Sequence, residues 1–492
     1  MTEQMQEYQG DIWDVANPIA MMPKTTIDLQ HMYYENAGGD VSAQTNYRVY
    51  TTDESSYYYL PSAHLQVDFS LTQAGGAALT EAMQTAIASN GWCLFEDVRL
   101  KFQDNEVMHV QKPGKVSHMV NLIEKGKNYI ETVGENAHYF LDSVSDNADL
   151  IGTVRVAYTA PVVGASTTVG TTPVSMVDEV QYVRTVVGGG CTNAAVTSAT
   201  KNPYYDPAMR RKIDRVLEAG TGDQKLFLPC ADILPILMTD RVVRGSRIEL
   251  ELNKISNAAE ALFGLTTDAK LTIKRVRLWM ARVKPSLQAL ARVESQIASN
   301  PVVTHNYDNL KLYRLPYNVT AQGEQVWQLQ HKANKPTKVF VAFQYALRDT
   351  DARLNPLQFD LLGTAGANNL SKVELRVNGR QVPSVVYDPS YDNTRILHEL
   401  YRLGSKDIED SACLNKKNWK SMFPIFGFDL SAIEGSSYES RSHAVLDLIW
   451  TTAATVANTG LATSTYNVVA LVVSEGSAIF DYSSGQTSIR TA

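Results

Sequence analysis

The sequence predicts an all-β protein built as two similar domains in tandem, and three observations support this prediction. Apolar and polar residues alternate in many short segments, for example in residues 65–71 and 247–252, as in antiparallel strands with one buried face. A helix, a Pro-Ile pair and two strands recur in the same order near residues 206–283 and 394–473. A repeat this long indicates two copies of one domain. The 492 residues suffice for two domains of about 200 residues each.

Each copy of the repeat begins with a helix that carries clear end signals. In the first copy, Asp206 suits the N-cap, Pro207 the first helical position, and Gly220 the residue after the helix. In the second copy, the predicted helix Thr394–Leu403 is closed by Gly404. Few residues are identical between the copies, so the pattern indicates duplication of a fold rather than of a short motif.

The first half of the chain divides into an arm and a domain. Residues 1–55 mix apolar and polar residues without a steady period, which predicts an irregular N-terminal arm. Residues 56–283 are expected to form the first domain. The stretch 159–205 within it is rich in Gly, Ser, Thr, Ala and Val and poor in charge. Loops this long in a compact domain are usually functional surface.

The second half opens with a linking helix. Apolar residues on one helical face predict it within residues 284–301, and the second domain is expected over residues 302–482. Asn378-Gly379, between two apolar alternating segments, predicts a β-hairpin with a type I′ turn. Residues 483–492 are expected to form a loose C-terminal tail.

Composition excludes several function classes. The net charge is −7, with no cluster of Lys and Arg, so direct nucleic-acid binding is not expected. The four cysteines lie far apart, which argues against a disulfide framework and fits folding inside a cell. No secretory signal or apolar run of membrane-spanning length is visible.

Motifs for catalysis and ligand binding are not found. The nine histidines are dispersed, and the segment 164–170 is rich in glycine but has no lysine to bind phosphate. No nucleophile elbow is present. We therefore predict no enzyme activity, no catalytic or metal-binding residues and no cofactor.

Four strings of residues stand out by their order and spacing. They are RVVRG at 241–245 leading into RIELELNK, LTIKRVRLWMARVKPS at 271–286, VELRVNGRQVP at 373–383 and PIFGFDLS at 424–431. Together they resemble the major capsid proteins of the Polinton, polinton-like virus and virophage group, within the double jelly-roll lineage. The resemblance spans roughly residues 55–480.

The resemblance implies two eight-stranded jelly rolls side by side. It also implies a homotrimeric, pseudo-hexagonal capsomer, like a hexon, that tiles the icosahedral shell of a double-stranded DNA virus. Penton and minor or cement capsid proteins are then the expected partners beside the chain itself. The expected location is the virion, with assembly inside the host cell. Whether a membrane lies beneath the shell stays open.

The arm and the long loop are the expected assembly contacts. Both differ from the family pattern, so lattice contacts there are not carried over from the resemblance. The arm holds apolar residues without a period that could build a core of its own, and the loop would be an aggregation risk if left exposed. The candidate contact residues are Ile12, Trp13, Met21, Met22, Tyr33, Tyr34, Val163 and Val169.

One alternative is a two-domain β-sandwich that binds carbohydrate, or a bicupin-like protein. Trp92, Trp279, Trp327 and Trp419 could stack on sugar rings, although their strand positions favour the core. A bicupin needs a histidine cluster inside each barrel, and the sequence offers none. A size measurement separates the two hypotheses, because a capsomer is expected to be a trimer.

Overall fold

A computed structural model gives the fold. The candidate contacts Ile12, Trp13, Met21, Met22 and Val163 lie outside the described residues, as do most of the predicted arm and long loop. The described residues are 26–36, 41–53, 56–80, 83, 85–142, 168–169, 172–173, 207–239, 242–244, 247–264, 269–318, 323–330, 335–352, 354–361, 370–389, 391–404, 413–431, 445–452, 465–482 and 488–491.

Eight main strands form the first roll. They pair as two antiparallel sheets with the orders β1-β8-β3-β6 and β2-β7-β4-β5, and Val242–Arg244 continues the edge of β3 beyond β6. The strands are β1 (Thr26–Glu35), β2 (Asn46–Tyr50), β3 (Tyr57–Gln73), β4 (Phe95–Phe102), β5 (Asn105–Gln111), β6 (Gln224–Pro229), β7 (Ile248–Lys254) and β8 (Ala269–Pro285).

The second roll repeats this order with each strand number raised by eight. Its sheets are β9-β16-β11-β14 and β10-β15-β12-β13. The prediction of two tandem eight-stranded jelly rolls is confirmed. The strands are β9 (Val302–Asn318), β10 (Gly323–Leu329), β11 (Pro336–Tyr345), β12 (Leu370–Val377), β13 (Arg380–Tyr387), β14 (Ile425–Asp429), β15 (Leu446–Thr452) and β16 (Thr465–Asp481).

Helices lie between the strands in corresponding places. Two follow the fifth strand of each roll, and α3 lies between the rolls, within the predicted linker. The α-helices are α1 (Pro113–Glu124), α2 (Pro207–Ala219), α3 (Leu287–Ser299), α4 (Asn393–Gly404) and α5 (Lys416–Ser421), beside the single turn Lys127–Tyr129.

Single turns and short strands complete the described fold. The 3-10 turns are Val41–Ala43, Gly91–Leu94, Cys230–Asp232, Pro235–Met238, Ala258–Glu260 and Ala346–Asp349, and Ile130–Gly134 is a π-helical turn. The short strands are Ala86–Ile87, Leu262–Phe263, Thr168–Val169, Thr172–Pro173 and Ser488–Thr491.

Local signals in the sequence explain several of these elements. In residues 271–283 the alternating apolar residues change phase between Ile273 and Val276, and the register of β8 against β3 shifts between Ile273 and Arg275, as at a β-bulge. Asn378 and Gly379 both have positive φ, at 51° and 82°, as a type I′ turn between β12 and β13 requires. Gly220 has φ 57° directly after α2, the left-handed conformation that glycine favours there.

The N-terminal arm is shorter than predicted, because residues 26–50 contribute two strands to the first roll. β1 pairs along its length with β8, and β2 pairs with β7. Both strands lie at sheet edges. In β1 the exposed Tyr33 adjoins the buried Tyr34, so apolar residues point to both faces. This arrangement hides the period of two that would have revealed the strand.

The two Pro-Ile pairs are not structurally equivalent. Pro235 and Ile236 belong to a 3-10 turn after the sixth strand of the first roll. Ile425 instead begins β14, the sixth strand of the second roll. The sixth strand of the first roll is β6, which precedes its Pro-Ile pair. The repeat is therefore real in the order of helices and strands, while the shared dipeptide is a coincidence.

The C-terminal tail is also partly ordered into the fold. Ser488–Thr491 pairs with residues 478–481 of β16, so it extends a sheet of the second roll. The prediction of a loose tail from 483 is therefore wrong for these residues. Their Ser-Ile-Arg-Thr sequence is too short and too polar to show a strand period.

The core is continuous from one roll to the other. A single cluster of buried apolar residues contains both sheets of both rolls and reaches across the boundary between them. Among its largest fully buried side chains are Trp92, Trp419 and Trp450. Two of the four tryptophans considered for sugar stacking, Trp92 and Trp419, are therefore core residues.

Candidate assembly interface

The helix α1 is the centre of the contact between the two rolls. All of its residues from Pro113 to Ile123 are buried, although only one face carries the apolar residues of an amphipathic helix. It meets α4 of the second roll closely, since a Cβ on Gly404 would lie 2.2 Å from Cγ2 of Ile123. Only glycine permits this approach, because any side chain at position 404 would clash with Ile123 of the first roll.

A buried ion pair crosses the contact from the same helix. Lys115 Nζ donates to Asp349 Oδ1 and to Gln344 Oε1, both at 2.5 Å. The Lys115 and Asp349 side chains are 7% and 4% exposed. Arg314 Nη2 lies 2.7 Å from the other carboxylate oxygen of Asp349. The carboxylate therefore faces two cations, one buried and one at the edge of the contact.

A second buried ion pair lies beside the first. Lys212 Nζ donates to Asp142 Oδ1 at 2.7 Å and to Ser89 Oγ at 2.7 Å, and the Lys212 side chain is fully buried. Asn355 of the second roll donates to Asp142 Oδ2 at 3.1 Å. The charge of Lys212 therefore lies in the interior of the protein and not on its surface.

His118 on α1 sits in an aromatic surrounding shared by the two rolls. Its ring lies 5.9 Å from that of Tyr139, 6.2 Å from that of Phe359 and 5.1 Å from that of Phe423, between centroids. Burial lowers the pKa of His118 to about 4, because the cation would lose its hydration, while the charge of Asp142 opposes this shift. The imidazole is therefore neutral near pH 7.

The strands β5 and β9 meet at the other end of the contact. Tyr307 on β9 donates its hydroxyl to the carbonyl oxygen of Val107 on β5 at 3.0 Å. Phe102 at the end of β4 packs edge-on against Phe480 of β16, with 5.4 Å between ring centroids. One side of the first roll, formed by β5 and α1, is thus covered by the second roll.

Two of the predicted contact residues lie on β1, and they differ in exposure. Tyr34 is buried, and its hydroxyl donates to that of Tyr58 at 3.1 Å. Tyr34 is part of the hydrophobic core of its own roll. Tyr33 is 49% exposed. Val169 lies in the two-residue strand Thr168–Val169.

The side chain of Tyr33 is held in place on the outer face of the sheet. Its ring lies 5.2 Å from that of Trp279, and the guanidinium of Arg277 lies 4.5 Å from the Tyr33 ring centroid. Trp279 donates its indole N–H to Gln66 Oε1 at 2.8 Å. These neighbours cover the polar face of β3, which explains why Gln66 is only 4% exposed although its strand period predicts an exposed position.

The structure also reveals exposed apolar side chains that the sequence analysis missed. Val385 at the end of β13 is 59% exposed, and Tyr391 in the turn before α4 is 87% exposed. The signal was the adjacent pair Val385-Val386, since an alternating strand buries only one of two neighbours. Such side chains mark contact surfaces when they lie together.

The described residues contain no group of three or more His, Cys, Asp and Glu that could hold a metal ion. Within the same part of the chain, no helix is long and apolar enough to cross a membrane. Cys93, Cys230 and Cys413 are buried thiols, and no disulfide joins them. Burial raises the pKa of Cys93 to about 12, so its thiol is protonated near pH 7.

Comparison with known proteins places the architecture. No protein-family model and no curated protein matches the sequence. Solved structures do match over nearly the whole chain. A chain of the Sputnik virophage structure matches with a TM-score of 0.55 and 10% identity, covering 97% of this chain and 91% of its own. The mavirus major capsid protein matches with a TM-score of 0.52 and 9% identity, covering 97% and 92%.

A third match is the Faustovirus major capsid protein, with a TM-score of 0.50, 8% identity and coverage of 93% of this chain and 91% of that protein. This chain has the double jelly-roll fold of these capsid proteins. The resemblance seen in the sequence is thereby confirmed for the fold. At such low identity, the comparison shows that this chain and the three solved structures share the double jelly-roll fold. The contacts between their subunits are not transferred to this chain.

Proposed function

We propose that this chain is a structural major capsid protein whose trimers form pseudo-hexagonal capsomers of an icosahedral double-stranded DNA virus shell. The observation that carries the proposal is the repetition of one strand order in two complete jelly rolls, in a fold that viral capsid proteins match over nearly the whole chain. In this role the protein is a building block of the virion and not an enzyme.

Two similar rolls suit this task for a geometric reason. A ring of three chains has threefold symmetry, but six similar rolls give it an outline close to sixfold. Units with a hexagonal outline tile a surface, and here every unit would be built from one type of chain. The ring works only if the two rolls of each chain keep a fixed relative orientation.

The contact between the rolls supplies that fixed orientation. It contains the buried pair Lys115–Asp349, whose two charges belong to different rolls. Buried ion pairs add little net stability, yet they are very costly to separate, so they favour one relative position over others. The close approach at Gly404 restricts the position further. A flexible pair of tandem binding modules would have no need of such a contact.

The proposed partners are other copies of this chain, together with penton and minor capsid proteins. The net charge of −7 suits a shell whose DNA-facing contacts are made by other components. The proposed location is the virion, after assembly in the host cell.

We place the long loop at 159–205 on the outer surface or between subunits. Few of its residues are charged, so contact with a neighbour would remove an exposed apolar surface. Deleting residues 162–200 is expected to weaken trimers and to leave the β-sheet signal in circular dichroism unchanged. Trimers as stable as those of the intact chain would contradict this placement.

The proposed function is tested by mass and by imaging. The purified protein is expected to have three times the 54.4 kDa chain mass, and negative-stain images are expected to show hexagonal capsomers or closed shells. A protein that stays monomeric at every concentration, with no particles after incubation at high ionic strength, would contradict the proposal. Binding to a glycan array by such a monomer would favour the carbohydrate-binding alternative.

A further inference from the structure

In each roll, the fifth strand and the helix after it form one side, which we call the fifth-strand side. In the first roll this side is covered by the second roll. In the first roll, β5 and α1 are packed against β9 of the second roll and its neighbours. Val107 on β5 is only 7% exposed as a result. The covering strand β9 is the first strand of its roll. One roll therefore presents its fifth-strand side, and the next roll presents its first strand together with the C-terminal end of α4 at Gly404.

No described residue of another roll covers the corresponding side of the second roll. Among the described residues, β13 pairs only with β12, and it is the fifth strand of its roll. The helix α4 follows it as α1 follows β5, but Thr394, His398 and Arg402 of α4 are exposed, whereas α1 is buried from Pro113 to Ile123. The exposed apolar residues Val385 and Tyr391 lie on this side.

The complementary side of the first roll is likewise not covered by any other roll in the part of the chain that the structure describes. Its first strand is β1, which corresponds to β9. Within the described chain, β1 pairs only with β8 and forms the edge of its sheet. Tyr33 projects there, half exposed and held by Trp279 and Arg277.

We propose that the β13–α4 side of the second roll, with Val385 and Tyr391, binds the β1 side of the first roll of another copy, around Tyr33. The occupant is a second copy because the chain already contains this pairing of sides once, between its own two rolls. The inference rests on the proposed capsomer and specifies which surfaces close it.

Such a contact is heterologous, since the two surfaces that meet are different. Heterologous contacts produce rings when the rotation closes and open filaments when it does not. If the contact between copies repeats the rotation between the two rolls of one chain, every roll in the assembly has the same surroundings. A ring of six rolls closes with three chains when this rotation is one sixth of a turn, as the proposed trimer requires.

The first test introduces charge on the open side. Val385→Glu combined with Tyr391→Glu is expected to convert trimers to monomers, because two carboxylates would be buried without partners. Both side chains are exposed in the single chain, so its circular dichroism and melting temperature are expected to stay unchanged. The matched control is Val326→Glu on β10, which is 61% exposed and lies at the opposite edge of the same sheet. It is expected to remain trimeric.

Each outcome of this test decides the inference. Dissociation of the double variant alone supports it. A double variant that stays trimeric, or a control that dissociates equally, overturns the assignment of surfaces while leaving the trimeric capsomer intact. An unmodified chain that is monomeric overturns both the capsomer and this inference.

Cross-linking provides a second, independent measurement. Tyr33→Cys and Val385→Cys are combined in a chain whose Cys191 is replaced by Ser, and a short bismaleimide is added to the assembled protein. Covalent dimers and trimers are expected on a denaturing gel only when both new cysteines are present. The pair Tyr33→Cys with Val326→Cys is the control and is expected to give monomers. Equal cross-linking of the two pairs would overturn the proposal.

Discussion

Lys115 in the first roll and Asp349 in the second form a buried ion pair, with Nζ and Oδ1 separated by 2.5 Å. The residues are 234 positions apart in the sequence. Taking two charges out of water is costly, and their attraction offsets that cost only while the geometry holds. The pair therefore favours one relative position of the two rolls, because any other position would separate the buried charges.

Removing the carboxylate is expected to be more damaging than removing the ammonium. Asp349→Asn leaves the buried charge of Lys115 without a counter-ion and should lower the free energy of unfolding by about 3–5 kcal/mol. Lys115→Met should cost less, because Arg314 still neutralises Asp349 at 2.7 Å. Urea denaturation of the three proteins measures the difference.

The control for this pair lies on the surface. Lys335 and Glu475 are 57% and 63% exposed, with 3.8 Å between their charged atoms. Lys335→Met should change stability by no more than about 1 kcal/mol. An equal loss in Asp349→Asn and Lys335→Met would contradict the role given to the buried pair.

A second prediction concerns pH. The pKa of His118 is about 4 in the folded protein against an ordinary value of 6.5. Below pH 6.5 the unfolded chain binds a proton that the folded one excludes, so stability falls as the pH drops from 6.5 to about 4. The loss from this residue is up to about 3 kcal/mol. His118→Gln should flatten the dependence of the urea midpoint on pH in that interval.

The slope is not expected to disappear in this variant. His138 is also buried, and burial holds its pKa well below the ordinary value, so it contributes in the same direction. His398→Gln on the exposed face of α4 is the matched control. A slope that is unchanged in His118→Gln would show that His118 is charged or accessible in the folded protein.

The limits of sequence reasoning follow from which interactions are local. Pro207 begins α2 and Gly220 follows its end because of their own backbone preferences, and Asn378-Gly379 sets a turn in the same way. These elements were predictable. The partnership of Lys115 with Asp349 depends on how two domains pack, and nothing in the residues around either one indicates it.

Edge strands were the elements that the sequence concealed. Among the described strands, β1 pairs only with β8, and Tyr34 is buried against Tyr58 while the adjacent Tyr33 is exposed. Its apolar residues therefore follow no period of two. Exposed apolar residues such as Tyr391 were missed for a related reason, since burial depends on what covers a surface.

A third prediction tests the closeness of the rolls at Gly404. Gly404→Ala would place a Cβ 2.5 Å from the carbonyl oxygen of Ile123 as well as against its side chain. Backbone cannot yield as a flexible side chain does, so a loss of about 1–3 kcal/mol is expected. Thermal unfolding of the variant gives this value.

The matched control is a glycine in open space. A Cβ on Gly75 would have no atom within 4 Å, so Gly75→Ala should be neutral or slightly stabilising. Ile123→Ala combined with Gly404→Ala should recover little stability, because the carbonyl oxygen remains in place. Full recovery would indicate that the side chain alone sets the distance between α1 and α4.

The last prediction separates the N-terminal segment from the strand that follows it. Removing residues 1–20 leaves β1 complete from Thr26, so trimers with an unchanged melting temperature are expected. Shells are expected to form in lower yield or to be less heat-resistant. The lost residues include Ile12 and Trp13, and burial of each against a neighbour offers about 1.5–3 kcal/mol. Ordering the arm costs roughly 1–2 kcal/mol per residue. Only part of the arm is therefore expected to become ordered, and only where capsomers contact each other in the shell.

Removing residues 1–40 provides the contrast. That truncation deletes β1, and with it Tyr34 and the hydrogen bond of its hydroxyl to Tyr58. It also exposes one edge of β8, a strand that is otherwise paired on both sides. This variant is expected to lose stability and to aggregate before any trimer forms. If the shorter truncation gave shells of normal yield and heat resistance, residues 1–20 would have no role in assembly, whatever the longer truncation did.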